Sequence, residues 1–288
     1  MLTSVPPRAN GISMHPILYE FDGIKIHSYG LMIVAGFAVA MWWSVKECKR
    51  QGLPPETGLD FATYCLIIGI VVSRLVHVLL NWGDYAGNPL SALRLQEGGL
   101  TFHGALLGGI LATWLFARVK RINFWVLADV LSPCVLLGYP VARLGCFFNG
   151  CCYGAPTTLP WGCVFPDAHQ PGQWTPPSHP AQIYSSISVF LLFLIFIRLG
   201  PILHAKGQRF SLLLAVFGID RIFMDQFRRN VTGKVTPILG LTEAQLVSLG
   251  MIALSALLYC FFGKGTRSSE EVANTLDDAE TPNEPTEL

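Results

Sequence analysis

The chain reads as blocks of apolar residues separated by short polar segments. A bilayer core needs about 20 mostly apolar residues as helix to cross it. Seven stretches meet that length, at about 27–45, 61–80, 100–117, 124–142, 181–199, 210–227 and 241–262. The first and last are uninterrupted, whereas the second, fourth and sixth carry ionisable groups. No internal repeat of the kind seen in many transporters is visible. The pattern predicts an all-α membrane protein, a seven-transmembrane helix bundle over residues 1–263. The long Pro- and Trp-rich loop between spans four and five is expected to form a small extracytoplasmic cap.

Lys and Arg near the span ends give the orientation. Lys46, Lys49 and Arg50 follow span one, and Arg118, Lys120 and Arg121 follow span three. Arg198, Lys206 and Arg209 follow span five, and Lys264 and Arg267 follow span seven. These segments alternate, which places the N-terminus outside and the C-terminus in the cytoplasm. The segment after span six breaks the rule with Arg228, Arg229 and Lys234. Basic groups on that side point to an anionic ligand or to lipid headgroups. Residues 1–23 lack a basic start followed by an apolar run, so the first span is expected to drive insertion. Residues 264–288 form an acidic segment without aromatics, read as a disordered cytoplasmic tail.

Composition agrees with this pattern. Hydrophobic residues make up 51% of the chain and charged residues 14%, against about 25% charged in soluble domains. A net charge of +1 leaves no basic excess to neutralise a nucleic-acid backbone, so that partner class is excluded. The eight cysteines do not make a small disulfide framework, since several sit singly in apolar stretches.

Ionisable groups within spans are costly, and they are functional or paired. Arg74, His77, His103, Arg143 and Arg221 all fall near the outer ends of their helices, which suggests one polar pocket in the outer leaflet. Each also has a structural reading. Arg74 and His77 are one turn apart and can bond backbone or each other, which is the favoured role. Arg221 and Asp225, four apart, can form an ion pair, and Asp129 can pair with a neighbouring helix. Gly104 and Gly108 allow close helix approach, which would wall His103 into a helix contact.

The densest segment is 143–154, Arg-Leu-Gly-Cys-Phe-Phe-Asn-Gly-Cys-Cys-Tyr-Gly. Its glycines, Asn149 and Arg143 suggest a loop whose amides and guanidinium hold an oxyanion. Cys146, Cys151, Cys152 and Cys163 also invite a zinc reading. Adjacent Cys151 and Cys152 should point in different directions, so no metal is expected. A disulfide within the loop is preferred, because an outer compartment can be oxidising.

At these residues the sequence resembles the prolipoprotein diacylglyceryl transferase family, over roughly residues 15 to 262. The resemblance rests on ordered motifs: Ser28-Tyr29-Gly30-Leu31-Met32, Phe102-His103-Gly104-Ala105-Leu106-Leu107-Gly108, the 143–154 signature, His179-Pro180-Ala181-Gln182-Ile183-Tyr184, and Phe217-Gly218-Ile219-Asp220-Arg221 leading to Asp225 and Arg228. The chain departs from the commonest pattern at Cys146, where Asn is usual, and at Cys151, where Glu is usual. Phe217, Asp225 and Ser185 depart in the same way from Tyr, Glu and Glu.

The resemblance implies a bacterial inner-membrane enzyme. It would move the diacylglyceryl group of phosphatidylglycerol to the lipobox cysteine of prolipoprotein signal peptides, releasing glycerol phosphate. Such a reaction needs a thiolate and stabilisation of charge on the departing phosphate. His103, Arg143 and Arg221 are the expected catalytic residues, with the two arginines clamping phosphate. His103 either takes the thiol proton or orients the lipid. Tyr29, Asn149, Gly154 and Asp225 are expected to join Arg143 and Arg221 in binding substrate. Phosphatidylglycerol serves as co-substrate, and no metal or soluble cofactor is expected. A transporter would place polar groups through the whole bundle depth, and a retinal protein would need a Lys in the last span, which this chain lacks.

Overall fold

A computed structural model describes residues 17–21, 24–94, 99–167, 172–228 and 241–280. A hairpin of β1 (Ile17–Phe21) and β2 (Ile24–His27) precedes the helices α1 (Ser28–Arg50), α2 (Pro55–Leu80) and the single turn α3 (Trp82–Tyr85). Then come α4 (Phe102–Lys120), α5 (Phe124–Phe148), α6 (Ala181–Leu199), α7 (Gln208–Asp225) and α8 (Glu243–Glu280). Five are long and apolar enough to cross a membrane: α1, α2, α5, α6 prolonged to Ile202, and α8 as far as Gly263. The protein is therefore a helical, multi-pass membrane protein. The segments expected as spans three and six are also helices, α4 with His103 at its start and α7 with Asp220, Arg221 and Asp225 toward its end.

The helices differ from the apolar runs at their ends. α2 begins at Pro55 rather than near 61, because proline suits the first helical position and Glu56 the first turn. α5 continues to Phe148, so 143–148, expected as loop, is helical. Nothing in that stretch breaks a helix before Gly150. α8 continues to Glu280, into the segment expected to be a disordered tail from residue 264. The Glu, Ala and Leu residues there are adequate helix formers once a helix is nucleated. Residues 1–16, Arg229, Lys234 and 281–288 lie outside the described residues.

The β-hairpin was absent from the helix-only expectation. Its strands pair antiparallel, with Tyr19 opposite Ile26 and Phe21 opposite Ile24. The sequence Asp22-Gly23 between them is a strong hairpin signal that the search for spans overlooks.

The chain divides into two compact units, one of Val34–Gly138 and one of Met1–Ile33 with Tyr139–Leu288. In the first, α2 and α4 meet along small residues. A Cβ on Gly104 would lie 2.6 Å from Ser73 Cα, and one on Gly108 would lie 2.8 Å from Gly69 Cα, so only glycine permits this approach. Thr101 caps α4 by accepting from the Gly104 amide at 3.3 Å, and Ser73 Oγ donates to the Thr101 carbonyl at 2.8 Å. Phe61, Phe116, Leu127 and Val130 form the core with Cys48. Arg74 donates to the carbonyls of Ser91, Ala92, Arg94 and Gly99 at 2.8–3.1 Å. It thereby organises the connection to α4, in line with its structural reading.

In the second unit α7 packs on α8, where a Cβ on Gly218 would meet the Ser248 carbonyl at 2.9 Å. The long segment between α5 and α6 folds over a small core of Phe147, Tyr153, Cys163 and Phe165. Its ends are stitched through the main chain. The Gly154 amide donates to the His179 carbonyl at 2.8 Å, and the Ala155 amide to the Phe227 carbonyl at 2.8 Å. All eight cysteines are free thiols, so the disulfide expected in this loop is not formed.

Candidate active site

The signature begins on the last turns of α5. Arg143 Nε donates to Tyr139 Oη at 2.7 Å, one helical turn earlier. The guanidinium lies 4.7 Å from the Tyr139 ring centre, and Tyr139 stacks edge-on against Phe217 of α7 at 5.3 Å. Helix geometry rather than a loop therefore aims Arg143. Gly145, two residues on, faces α1, where an added Cβ would lie 2.8 Å from Met32 Cβ and 3.4 Å from the Tyr29 carbonyl. Tyr29 is half exposed and within electrostatic reach of Arg143 and the three neighbouring thiols.

Past Phe148 the helix ends in a Schellman turn. The Gly150 amide donates to the Phe147 carbonyl at 3.0 Å and the Cys151 amide to the Cys146 carbonyl at 3.1 Å, with Gly150 at φ 72°. Gln182, buried at the start of α6, donates from Nε2 to the Cys151 carbonyl at 2.7 Å and ties the loop to that helix. The Cys151 thiol donates to the Cys146 carbonyl at 3.7 Å, with Asn149 beside it. At Gly154 a Cβ would fall 2.5 Å from the Phe227 carbonyl and 2.8 Å from His179 Cβ. Its expected place in the site thus comes from close approach.

Three guanidiniums gather here. Arg228 is within electrostatic reach of Arg221, Arg143 and Cys152, and Asp220 is within reach of Arg143 and Arg221. Burial lowers the Arg228 pKa first, and Arg221 and Arg143 push the same way while Cys152 opposes them. Its Nε has no hydrogen-bond partner among the described residues. The one carboxylate in the cluster, Asp220, accepts from Ser188 Oγ. Three cations facing one carboxylate leave the cluster positive, which suits an anion. Cys152 responds to the same surroundings. Its pKa is held below the ordinary range, first by the donating thiols of Cys146 and Cys151 and then by Arg228 and Arg143, against partial desolvation.

Asp225 plays another part than expected. It is buried and accepts from Thr242 Oγ1 at 2.9 Å rather than pairing with Arg221. Thr242 opens α8 with a capping box, its Oγ1 accepting from the Gln245 amide at 3.2 Å while Gln245 Oε1 accepts from the Thr242 amide at 3.1 Å. Asp225 therefore fixes the end of α7 to the start of α8. His103 belongs to the other unit. It is exposed, not walled into the glycine contact of α4 with α2.

An apolar cavity of about 630 Å³ lies beside the cluster, lined by Tyr184, Ser188, Leu191, Phe223 and Phe227 among others. Ser188 links the two regions, since it lines the cavity and bonds Asp220. The His179–Tyr184 motif forms one rim, with Trp161 Nε1 donating to Tyr184 Oη at 2.7 Å. Arg228, Gln182 and Ser188 complete the site and were not among the expected site residues. Arg228 left a signal as a cation on the side the charge rule disfavours and Gln182 as part of the His179–Tyr184 motif, whereas Ser188 left none.

Comparison with known proteins points one way. A family model described as prolipoprotein diacylglyceryl transferase matches residues 16–261. The phosphatidylglycerol–prolipoprotein diacylglyceryl transferase of a Nostoc species is 34% identical over 248 residues, covering 83% of this chain and 86% of its own. That of Trichormus variabilis is 31% identical over 274 residues, 92% of this chain and 95% of its own. That of Clostridium tetani is 30% identical over 249 residues, 85% and 97% respectively.

Proposed function

This chain belongs to the prolipoprotein diacylglyceryl transferase family, and we propose that its arginine cluster is where the family's reaction takes place. The enzyme transfers the diacylglyceryl group of phosphatidylglycerol to a prolipoprotein cysteine thiol. A carbon–sulfur bond forms at the glycerol carbon, the carbon–oxygen bond to phosphate breaks, and glycerol phosphate leaves with that electron pair. The observation that carries the placement is a net-positive set of guanidiniums beside an apolar cavity, because phosphatidylglycerol is an anion joined to two acyl chains.

Arg143 and Arg221 clamp the phosphate, and Arg228 adds a third cation as charge grows on the leaving oxygen. Tyr29 and Asn149 hold headgroup oxygens, and the acyl chains enter the cavity between α6 and α7. His103 stands in the other unit, and its part as the base for the precursor thiol rests on its family motif alone. Phosphatidylglycerol carries the transferred group itself, so the group transfer needs no soluble carrier. Seven spans with the N-terminus outside place the α5–α6 loop as a cap on the extracytoplasmic face of the bacterial inner membrane, where lipobox cysteines of signal peptides emerge. The charge alternation of the connecting segments supports that orientation.

The test is direct. Purified protein incubated with phosphatidylglycerol and a lipobox peptide should yield the peptide plus a diacylglyceryl group by mass. An unmodified peptide under conditions where a related transferase is active would overturn the assignment.

A further inference from the structure

The three cysteines of the signature converge although two are adjacent in sequence. The sulfurs of Cys146, Cys151 and Cys152 all lie within 4.8 Å of one another. In extended backbone, neighbouring side chains point to opposite sides. Here the Schellman turn folds Cys151 back over Cys146, and Cys152 adopts a left-handed φ of 64° that swings its thiol to the same side. Non-glycine residues seldom hold that conformation, and where they do the geometry commonly serves a function. The expectation that Cys151 and Cys152 diverge, on which the metal reading was set aside, is thus overturned.

We infer that Cys146, Cys151 and Cys152 form a three-thiolate site for a zinc ion, with the fourth position left open for the precursor thiol. A zinc–thiolate bond of about 2.3 Å holds tetrahedral sulfurs about 3.8 Å apart. Sulfurs already within 4.8 Å reach that spacing by side-chain rotation. Three sulfur donors select soft or borderline ions over magnesium or calcium. Three protein ligands with one exchangeable position is the form a catalytic zinc takes. Zinc with three thiolates carries a net charge of −1, and Arg143 and Arg228 stand close enough to Cys152 to balance it. Cys152 is exposed, so the fourth position is reachable from outside the fold.

The metal site stands on the sulfur geometry, while the role of its fourth position rests on the transferase reading. Zinc takes the three sulfurs as thiolates, and any proton they still carry passes to solvent. The precursor thiol then binds and loses its proton to a base. Its sulfur pair attacks the glycerol carbon, the carbon–oxygen pair leaves with phosphate, and the resulting thioether, a poorer ligand, leaves the metal.

The experiment titrates cobalt(II) into the metal-stripped, reduced full-length protein in detergent. One equivalent should produce thiolate-to-cobalt charge-transfer absorption that zinc abolishes. Cys152→Ser should lose that band, and Cys260→Ser, remote on α8, should keep it. A lipobox peptide should shift the cobalt d–d bands, and its Cys→Ser version should not. No thiolate band in the reduced wild-type protein, two thiols consumed as a disulfide in place of metal binding, or d–d bands indifferent to the peptide would each overturn the proposal. Adduct formation is read on the same samples. Full activity without metal refutes the catalytic zinc alone, whereas a cobalt band without any adduct refutes the transferase reading and leaves the metal site.

Discussion

Two buried arginines, one in each unit, stand in opposite circumstances. Arg74 is 7% exposed and Arg228 is 8% exposed, so both gave up most of their hydration. Arg74 recovers it from four backbone carbonyls and from Tyr85, whose ring centre lies 5.4 Å away. Arg228 sits among two other guanidiniums with its Nε unbonded among the described residues. A buried cation without compensation costs several kcal/mol. Burial alone therefore does not separate a structural arginine from a functional one. The partners do, and an arginine flanked by two other arginines, with a thiol as the counterweight, is waiting for an anion.

The largest expected effect comes from removing the arginine whose aim is fixed by its own helix. Arg143→Ala should lower adduct formation by about 10³-fold, the scale of losing a preorganised charge donor, while the protein still inserts and melts near the wild-type temperature. Wild-type rates from that variant would remove Arg143 from the clamp. Arg74→Ala should do the reverse and cost about 3 kcal/mol in stability, since several buried carbonyls lose their donor. Limited proteolysis between Trp82 and Leu93 would report it, and an unchanged cleavage pattern would contradict the structural role.

Arg228→Gln sharpens the contrast further. Relief of repulsion and desolvation should leave stability equal or raised, while the KM for phosphatidylglycerol rises about 10- to 100-fold, as for a lost charge-assisted bond. A loss of stability with unchanged KM would make Arg228 another Arg74. Gly154→Ala should lower stability by about 1–3 kcal/mol through overpacking against Phe227 and His179, read as a lower melting temperature. Ser188→Ala should cost about 1 kcal/mol by leaving Asp220 without its donor, with a melting shift smaller than that of Gly154→Ala.

How much of this was legible depended on what kind of force wrote it. Apolar runs announce helices because burial is decided locally, so all seven stretches emerged as helices, five of them among the described residues long and apolar enough to cross a membrane. The family motifs singled out Arg143, Asn149 and Arg221 for their charge and polarity, and Gly154 for a position where the structure shows a steric reason. Contacts between distant segments were not legible. Nothing near Asp225 in sequence announces Thr242, and nothing near Cys151 announces Gln182. The turn at 149–152 was misread for a different reason. A left-handed φ at Cys152 is a conformational choice that residue type disfavours, so the side-chain directions inferred from adjacency were wrong.

The main-chain bonds from 154 and 155 to His179 and Phe227 carry a further consequence. Carbonyls and amides are common to almost every amino acid, so these stitches tolerate wide drift in side-chain identity at Ala155 and Phe227. They do not tolerate a change in spacing. A single residue inserted or deleted between Gly154 and Ala155 would pull the two stitches out of step with each other, so relatives of this enzyme should vary in letters at Ala155 and Phe227 and hardly at all in length at that joint.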